Sequence, residues 1–204
     1  LKAIQEPGVG LDNVDVAAAT DNHVMALNVP DGNYTTVSEH AMLFVLACAQ
    51  NLIRADKNVR KGNWSYRDTN LPSDVHGKTL LLIGFGRIGK SVAEKAKVFG
   101  MNVIAYDAFI PAEKMDELGV RKVDILEDGL AEADFVTIHL PLTNETRGMM
   151  KAPQFKAMKK TAYICNLGRG PMMDESDLYQ ALVDGEIAGA ALDVFDPEPP
   201  TSDN

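Results

Sequence analysis

The segment Leu80-Leu81-Leu82-Ile83-Gly84-Phe85-Gly86-Arg87-Ile88-Gly89 joins an apolar run directly to three glycines in the spacing G-x-G-x-x-G. Glycines in that spacing say little alone; their context constrains the fold. The run before them has the length and composition of a buried strand. The segment after them carries Val92, Ala93, Ala96 and Phe99 at helical spacing. A strand that turns sharply into a helix leaves unpaired backbone N–H groups at the helix start, those of Arg87 and Ile88 among them, and such groups bind phosphate. In this reading Gly84 permits the tight turn, Gly86 lets a pyrophosphate approach the backbone, and Gly89 lets helix and strand pack closely. The next apolar run, Asn102-Val103-Ile104-Ala105-Tyr106, ends in Asp107. That acid falls about 20 residues past the glycines, where a carboxylate accepts ribose hydroxyls and repels a 2′-phosphate. NAD rather than NADP is the expected cofactor.

The rest of the chain alternates in the same way. Strands are expected at Lys2–Gln5, Val24–Val29, Thr79–Gly84, Asn102–Tyr106, Arg121–Val123, Phe135–Leu140, Ala162–Asn166 and Ala188–Leu192. Most are continuous Val/Ile/Leu/Ala runs, the pattern of strands buried on both faces. Helices are expected at Ser38–Arg60, Ile88–Phe99, Glu113–Leu118, Pro153–Met158 and Glu175–Asp184. The fold class is therefore α/β, a doubly wound parallel sheet of Rossmann type, with residues 1–204 read as one NAD-binding domain. The Ser38–Arg60 helix is apolar around most of its first three turns (Ala41, Met42, Phe44, Val45, Leu46, Ala47, Ala49). Such a helix is buried on several sides, either in one large core or against a second subunit.

Composition excludes several function classes. With 46% apolar and 24% charged residues among 204, a full core is expected and disorder is not. A net charge of −9 argues against nucleic-acid and anionic-membrane partners. The longest apolar run, Ala41–Ala49, is far short of the roughly 20 residues that span a bilayer. Cys48 and Cys165 sit in apolar runs and read as reduced core thiols. His23, His40, His76 and His139 are scattered, no Cys/His pair has ligand spacing, and no metal site is expected. The chain begins Leu1-Lys2-Ala3-Ile4 without a signal-peptide pattern, reads as starting inside a longer protein, and is expected to be cytoplasmic.

In such folds ligands bind at the carboxyl edge of the sheet. Two later strand ends carry chemistry there. Residues 162–166 empty into Leu167-Gly168-Arg169-Gly170, and residues 188–192 into Asp193-Val194-Phe195-Asp196-Pro197-Glu198-Pro199. A guanidinium between glycines offers a fork for a carboxylate and a charge that polarises a neighbouring carbonyl; Arg169 could equally cap a helix or pair with an acid.

The chain resembles the D-isomer-specific 2-hydroxyacid dehydrogenases along essentially its whole length. The resemblance is carried by Gly8-Val9-Gly10-Leu11-Asp12-Asn13-Val14-Asp15, Val37-Ser38-Glu39-His40, the Gly84–Gly89 loop, His139-Leu140-Pro141-Leu142, Asn166-Leu167-Gly168-Arg169-Gly170 and Gly189-Ala190-Ala191-Leu192-Asp193-Val194-Phe195. It is most similar to the 3-phosphoglycerate dehydrogenase branch. The resemblance implies hydride transfer between NAD and a D-2-hydroxy acid, with 3-phosphoglycerate the first substrate to consider. Glyoxylate, hydroxypyruvate and lactate are alternatives. In this resemblance Arg169 binds substrate carboxylate and carbonyl, and Glu198 orients a catalytic histidine. The backbone of Gly8, Val9 and Gly10 helps bind the substrate carboxylate. Asp193 holds the nicotinamide carboxamide, Leu167 and Gly168 border the cofactor, and His139 and Pro141 lie beside its adenosine half. It also implies a homodimer built through the 38–60 helix.

The chain departs from the family pattern in four ways. The catalytic histidine is expected after Glu198 and is not among these residues. A substrate domain expected on the N-terminal side is likewise not represented. Leu167-Gly168-Arg169 stands where Thr/Cys-Ala-Arg is commoner, and Gln5-Glu6-Pro7 precedes Gly8 where a small or basic residue is commoner. Two further alternatives are corepressors of the C-terminal-binding-protein type, which use NAD in a dimerisation module, and formate dehydrogenase, which carries Gln in place of Glu198.

Overall fold

The computed structural model describes residues 1–201; residues 202–204 of the polar tail lie outside the described residues. Strand β1 (Ala3–Gln5), helix α1 (Val16–Asp21) and strand β2 (Met25–Leu27) come first, the two strands pairing in parallel as a small separate sheet. Residues 1–27 thus stand outside the main sheet. The pattern along the chain does not reveal this division, because three-residue strands carry no readable periodicity.

Helices α2 (Tyr34–Ala49), α3 (Leu52–Arg60) and α4 (Tyr66–Thr69) follow. The single helix expected over 38–60 is therefore two, bent by 58°. Asn51 breaks it by adopting φ +50°, a left-handed conformation that asparagine tolerates better than most side chains. Apolar spacing continues across the break and so hides it. Among the described residues no single helix is long and apolar enough to cross a membrane; α2 and α3 meet that length only together, across the bend.

The main sheet begins with β3 (Thr79–Ile83), α5 (Arg87–Val98), β4 (Asn102–Tyr106), α6 (Ala112–Asp116) and β5 (Arg121–Lys122). It continues with α7 (Leu126–Glu132), β6 (Phe135–Ile138), α8 (Ala152–Ala157), β7 (Tyr163–Asn166), a 3-10 turn (Gly170–Met172), α9 (Glu175–Val183) and β8 (Gly189–Leu192). The six strands are parallel in the order β5-β4-β3-β6-β7-β8. Counted within this sheet the order is 3-2-1-4-5-6, the doubly wound arrangement, which reverses between β3 and β6. The eight strands expected from the sequence are all present with ends shifted by a few residues, whereas α1, α4 and α7 were not expected.

Alternation along β3 divides the core. Leu80 and Leu82 face one layer with Val92, Ala96, Val45 and Met42, and Leu81 and Ile83 face the other with Leu130, Phe155 and Ile164. Helix α2 covers the first layer through Ala41, Met42, Val45 and Ala49, one face at i, i+4, i+8 spacing. Its buried Ser38 is pinned to α5: Ser38 Oγ and Ser91 Oγ lie 3.0 Å apart, and Lys95 Nζ donates to both, at 3.0 and 2.8 Å. The opposite face of α2 is less covered. Leu43 is 54% exposed, and Ile53 on α3 is 74% exposed.

Candidate active site

The reversal of strand order opens a cleft of about 530 Å³ at the carboxyl edge of the sheet. Four chain segments wall it. The glycine loop contributes Gly86, Arg87 and Ile88; the end of β6 contributes His139 to Leu142; the end of β7 contributes Leu167 to Arg169; and the N-terminal lobe contributes Val9 to Asp12. Pro30 and Tyr34, before and at the start of α2, complete it.

Each glycine of the loop answers to a different neighbour. Gly84 has φ +103°, and a Cβ there would lie 2.9 Å from the carbonyl carbon of His139, so only glycine lets β3 turn away against the β6 backbone. A Cβ on Gly89 would collide with the Gly84 carbonyl oxygen. At Gly86 a Cβ would meet nothing within 4 Å. The fold therefore does not need glycine at 86; a ligand lying close to the backbone would. The first α5 backbone bond runs from Lys90 N–H to the Gly86 carbonyl, 3.0 Å, and Gly86 caps the helix without a side chain. Among the described residues the N–H groups of Arg87, Ile88 and Gly89 have no acceptor, as a phosphate cradle requires. These features fit a dinucleotide pyrophosphate. The Arg87 side chain turns to Asp31, with Nε 2.7 Å from Oδ1.

Asp107 stands at the end of β4 as expected, but it is only 7% exposed and does not border the cleft. Its Oδ2 accepts from Phe85 N–H at 2.8 Å, and Oδ1 accepts from the N–H groups of Phe109 and Ile110 at 2.8 and 3.1 Å. The carboxylate fastens the glycine loop to the turn after β4, so loop shape depends on it whatever else it contacts.

His139 continues the β3–β6 ladder, its N–H donating to the Ile83 carbonyl at 2.8 Å. Its Nε2 lies 3.0 Å from Thr137 Oγ1, and among the described residues its buried Nδ1 has no partner. Burial alone pushes its pKa down to about 3. An imidazole that stays neutral at every working pH cannot carry a proton in a reaction near neutrality. Pro141 lies on the same wall.

The loop after β7 is braced by Asn166, a residue not singled out from the sequence. Its Nδ2 donates to the Arg169 carbonyl and its Oδ1 accepts from Gly168 N–H, both at 3.0 Å. An asparagine at a strand end, three residues before an arginine flanked by glycines, is the sequence signal that could have found it. The Arg169 guanidinium meets Asp12, Nε donating to Oδ2 at 2.8 Å and Nη2 to Oδ1 at 3.0 Å. The bonds from Arg169 hold the Asp12 carboxyl below its ordinary pKa, and Asp12 in turn raises that of Arg169. Glu198 and Glu6 lie near enough to add to that rise. Glu198 sits in the loop after β8, with Oε1 accepting from Phe195 N–H at 2.9 Å. Gly170 touches the Phe195 backbone, where a Cβ would overlap it, and this contact brings the two strand-end loops together. Asp193 is exposed, its N–H donating to the Asn166 carbonyl at 3.0 Å. Among the described residues the N–H groups of Gly8, Val9 and Gly10 have no acceptor, while the Gly8 and Val9 carbonyls are held by Val29 N–H and Asn28 Nδ2.

The model for the D-isomer specific 2-hydroxyacid dehydrogenase NAD binding domain matches residues 42–204. A D-3-phosphoglycerate dehydrogenase from Methanocaldococcus jannaschii is 45% identical over 200 residues, covering 98% of this chain and 38% of its own length. A Granulicella formate dehydrogenase structure superimposes with a TM-score of 0.92 at 29% identity, over 99% of this chain and 54% of its own. The structure of an Aquifex aeolicus D-lactate dehydrogenase with NAD and lactic acid gives 0.89 at 31% identity, over 100% of this chain and 63% of its own. The chain thus spans 38% of the length of that phosphoglycerate dehydrogenase.

Two outcomes are expected here. Gly86→Ala keeps wild-type stability but weakens NAD binding at least about tenfold, because the methyl group occupies ligand space, whereas Gly89→Ala also lowers stability; calorimetry and urea unfolding separate the two. Between pH 6.5 and about 3 the unfolded chain holds a proton on His139 that the folded chain does not. This part of the stability is complete above pH 6.5, falls as pH drops, and levels below about 3. His139→Gln should flatten the dependence of urea midpoint on pH in that window.

Proposed function

Because the chain belongs to the D-isomer-specific 2-hydroxyacid dehydrogenases, as their NAD-binding domain, we propose that it serves an oxidoreductase that interconverts a D-2-hydroxy acid and its 2-oxo acid. The observation that carries this reading is one cleft bordered both by the open glycine loop at Gly86 and by the Arg169 guanidinium. NAD, when bound, supplies the hydride acceptor or donor. The N–H groups of Arg87 and Ile88 hold its pyrophosphate. Leu167, Gly168, His139 and Pro141 form the walls beside it, and Asp193 reaches its carboxamide end. Asp107 shapes the loop, and its negative charge at the end of β4 disfavours the 2′-phosphate of NADP.

On the substrate side, Arg169 binds the carboxylate and stabilises charge on the C2 oxygen. The free N–H groups around Val9 and Gly10 take the other side of the carboxylate. Glu198 supports the proton carrier, which we assign to residues beyond it, since the neutral His139 is unsuited. A 2-hydroxy acid of the 3-phosphoglycerate type is the proposed substrate, on the 45% identity to the Methanocaldococcus enzyme. The setting proposed is the cytoplasm.

We also propose a homodimer. Leu43, Leu52, Ile53 and Val59 on α2 and α3 are 50–74% exposed, and a second copy of the same two helices would cover them about a two-fold axis.

The chain is expected to bind NAD in calorimetry, with NADP weaker by about tenfold or more; equal affinities would remove Asp107 from the reading. In the full-length protein Arg169→Lys should cut kcat/KM on the order of 100-fold with NAD affinity kept, since lysine lacks the planar fork. Near-normal turnover would make Arg169 structural. Light scattering should give a dimer mass at micromolar concentration and a monomer for Ile53→Glu; a monomeric wild type would exclude the assembly.

A further inference from the structure

A guanidinium presents five N–H groups in one plane. In Arg169 three are engaged within the fold. Nε and Nη2 donate to Asp12, and Nη1 donates to the Gly168 carbonyl at 2.9 Å. Among the described residues one N–H on each terminal nitrogen has no acceptor, and a guanidinium can present two such N–H groups as a fork to a carboxylate. Both side chains are about 40% exposed and border the cleft. Gly10 is packed so tightly against Arg169 Nη2 and Asp12 Oδ1 that any side chain there would displace the pair. An ion pair at this exposure adds little to stability. What the pairing does achieve is to fix the plane of the guanidinium while leaving one edge of it free.

We propose that Asp12 is the positioning residue of this site, clamping the side edge of Arg169 so that its end-on fork faces the carboxylate and C2 oxygen of a 2-oxo acid. This rests on the reading of Arg169 as the substrate-binding group. Asp12 also brings a negative charge near an anionic substrate, as Glu6 and Glu198 do. It therefore weakens attraction while improving orientation, and orientation acts on the chemical step.

That balance gives a signature that a merely structural residue would lack. In the full-length protein, with 3-phosphohydroxypyruvate and NADH, Asp12→Asn should lower kcat on the order of 10- to 100-fold. KM for the 2-oxo acid should change by less than about threefold, because the lost charge offsets the lost order, and NADH affinity, read by fluorescence, should stay unchanged. In Arg169→Ala, added guanidinium ion should restore part of kcat while Asp12 is present and none in the Asp12→Asn, Arg169→Ala double variant. Unchanged kcat in Asp12→Asn, or equal rescue in both backgrounds, overturns the proposal. Absence of wild-type turnover with any 2-oxo acid is a failure of the functional reading alone. Positioning is then judged from the Arg169 Nε–H by nuclear magnetic resonance. Slow solvent exchange in the wild type that becomes fast in Asp12→Asn supports the clamp, and equal exchange rates end it.

Discussion

The close approach of Gly84 to the His139–Leu140 backbone is the contact on which the site depends. Strand order reverses between β3 and β6, so the chain leaving β3 must turn one way and the chain leaving β6 the other. Their divergence makes the cleft, and its depth is set by how near the two backbones come. A Cβ at 84 would stand 2.9 Å from His139, so one methyl group decides whether the strands can sit in register and still part. The buried Asp107 carboxylate then holds the turn in shape through Phe85 N–H. The unpaired N–H groups of α5 consequently point at one place.

Charge in the cleft is arranged in two zones of opposite character. At the glycine loop the attraction for an anion comes from backbone dipoles and from N–H groups that the fold leaves without acceptors, with Arg87 drawn aside to Asp31. At the end of β7 it comes from one guanidinium surrounded by acids. Asp12 is in direct contact, with Glu6 and Glu198 further off. The first zone suits a diphosphate held along the backbone; the second suits a small carboxylate recognised by geometry more than by net charge. His139 stands between them as a neutral group, kept so by burial.

Helix α2 connects this site to the outer surface. One face is fastened by Ala41, Met42 and Val45 in the core and by the Ser38–Ser91–Lys95 bonds to α5. The other leaves Leu43 and, past the bend, Ile53 in solvent. Met42 is fully engaged in the core while Phe44 and Leu46 are only partly covered. The helix therefore belongs first to the fold, and its remaining apolar face is what a second copy could use.

Much of this was legible in the residues alone. Continuous apolar runs such as Leu80–Ile83 and Val103–Ala105 mark doubly covered strands, and G-x-G-x-x-G between strand and helix marks the phosphate turn, because both signals are local. Local signals also misled. Apolar spacing runs through Asn51, so one helix was expected where a left-handed residue makes two. Helices α1, α4 and α7, of four to seven residues, were not expected, although the equally short α6 and α8 were. Membership of the α/β class, the position of the cofactor loop and the presence of Arg169 were thus determined by sequence. Tertiary structure decided what each group meets there: that Asp107 accepts from three backbone donors, that Asn166 braces the arginine loop, and that Asp12 meets Arg169 across 157 residues. No pattern within a window of sequence encodes such a pairing, because it exists only when the N-terminal lobe and the end of β7 are brought to the same edge of the sheet.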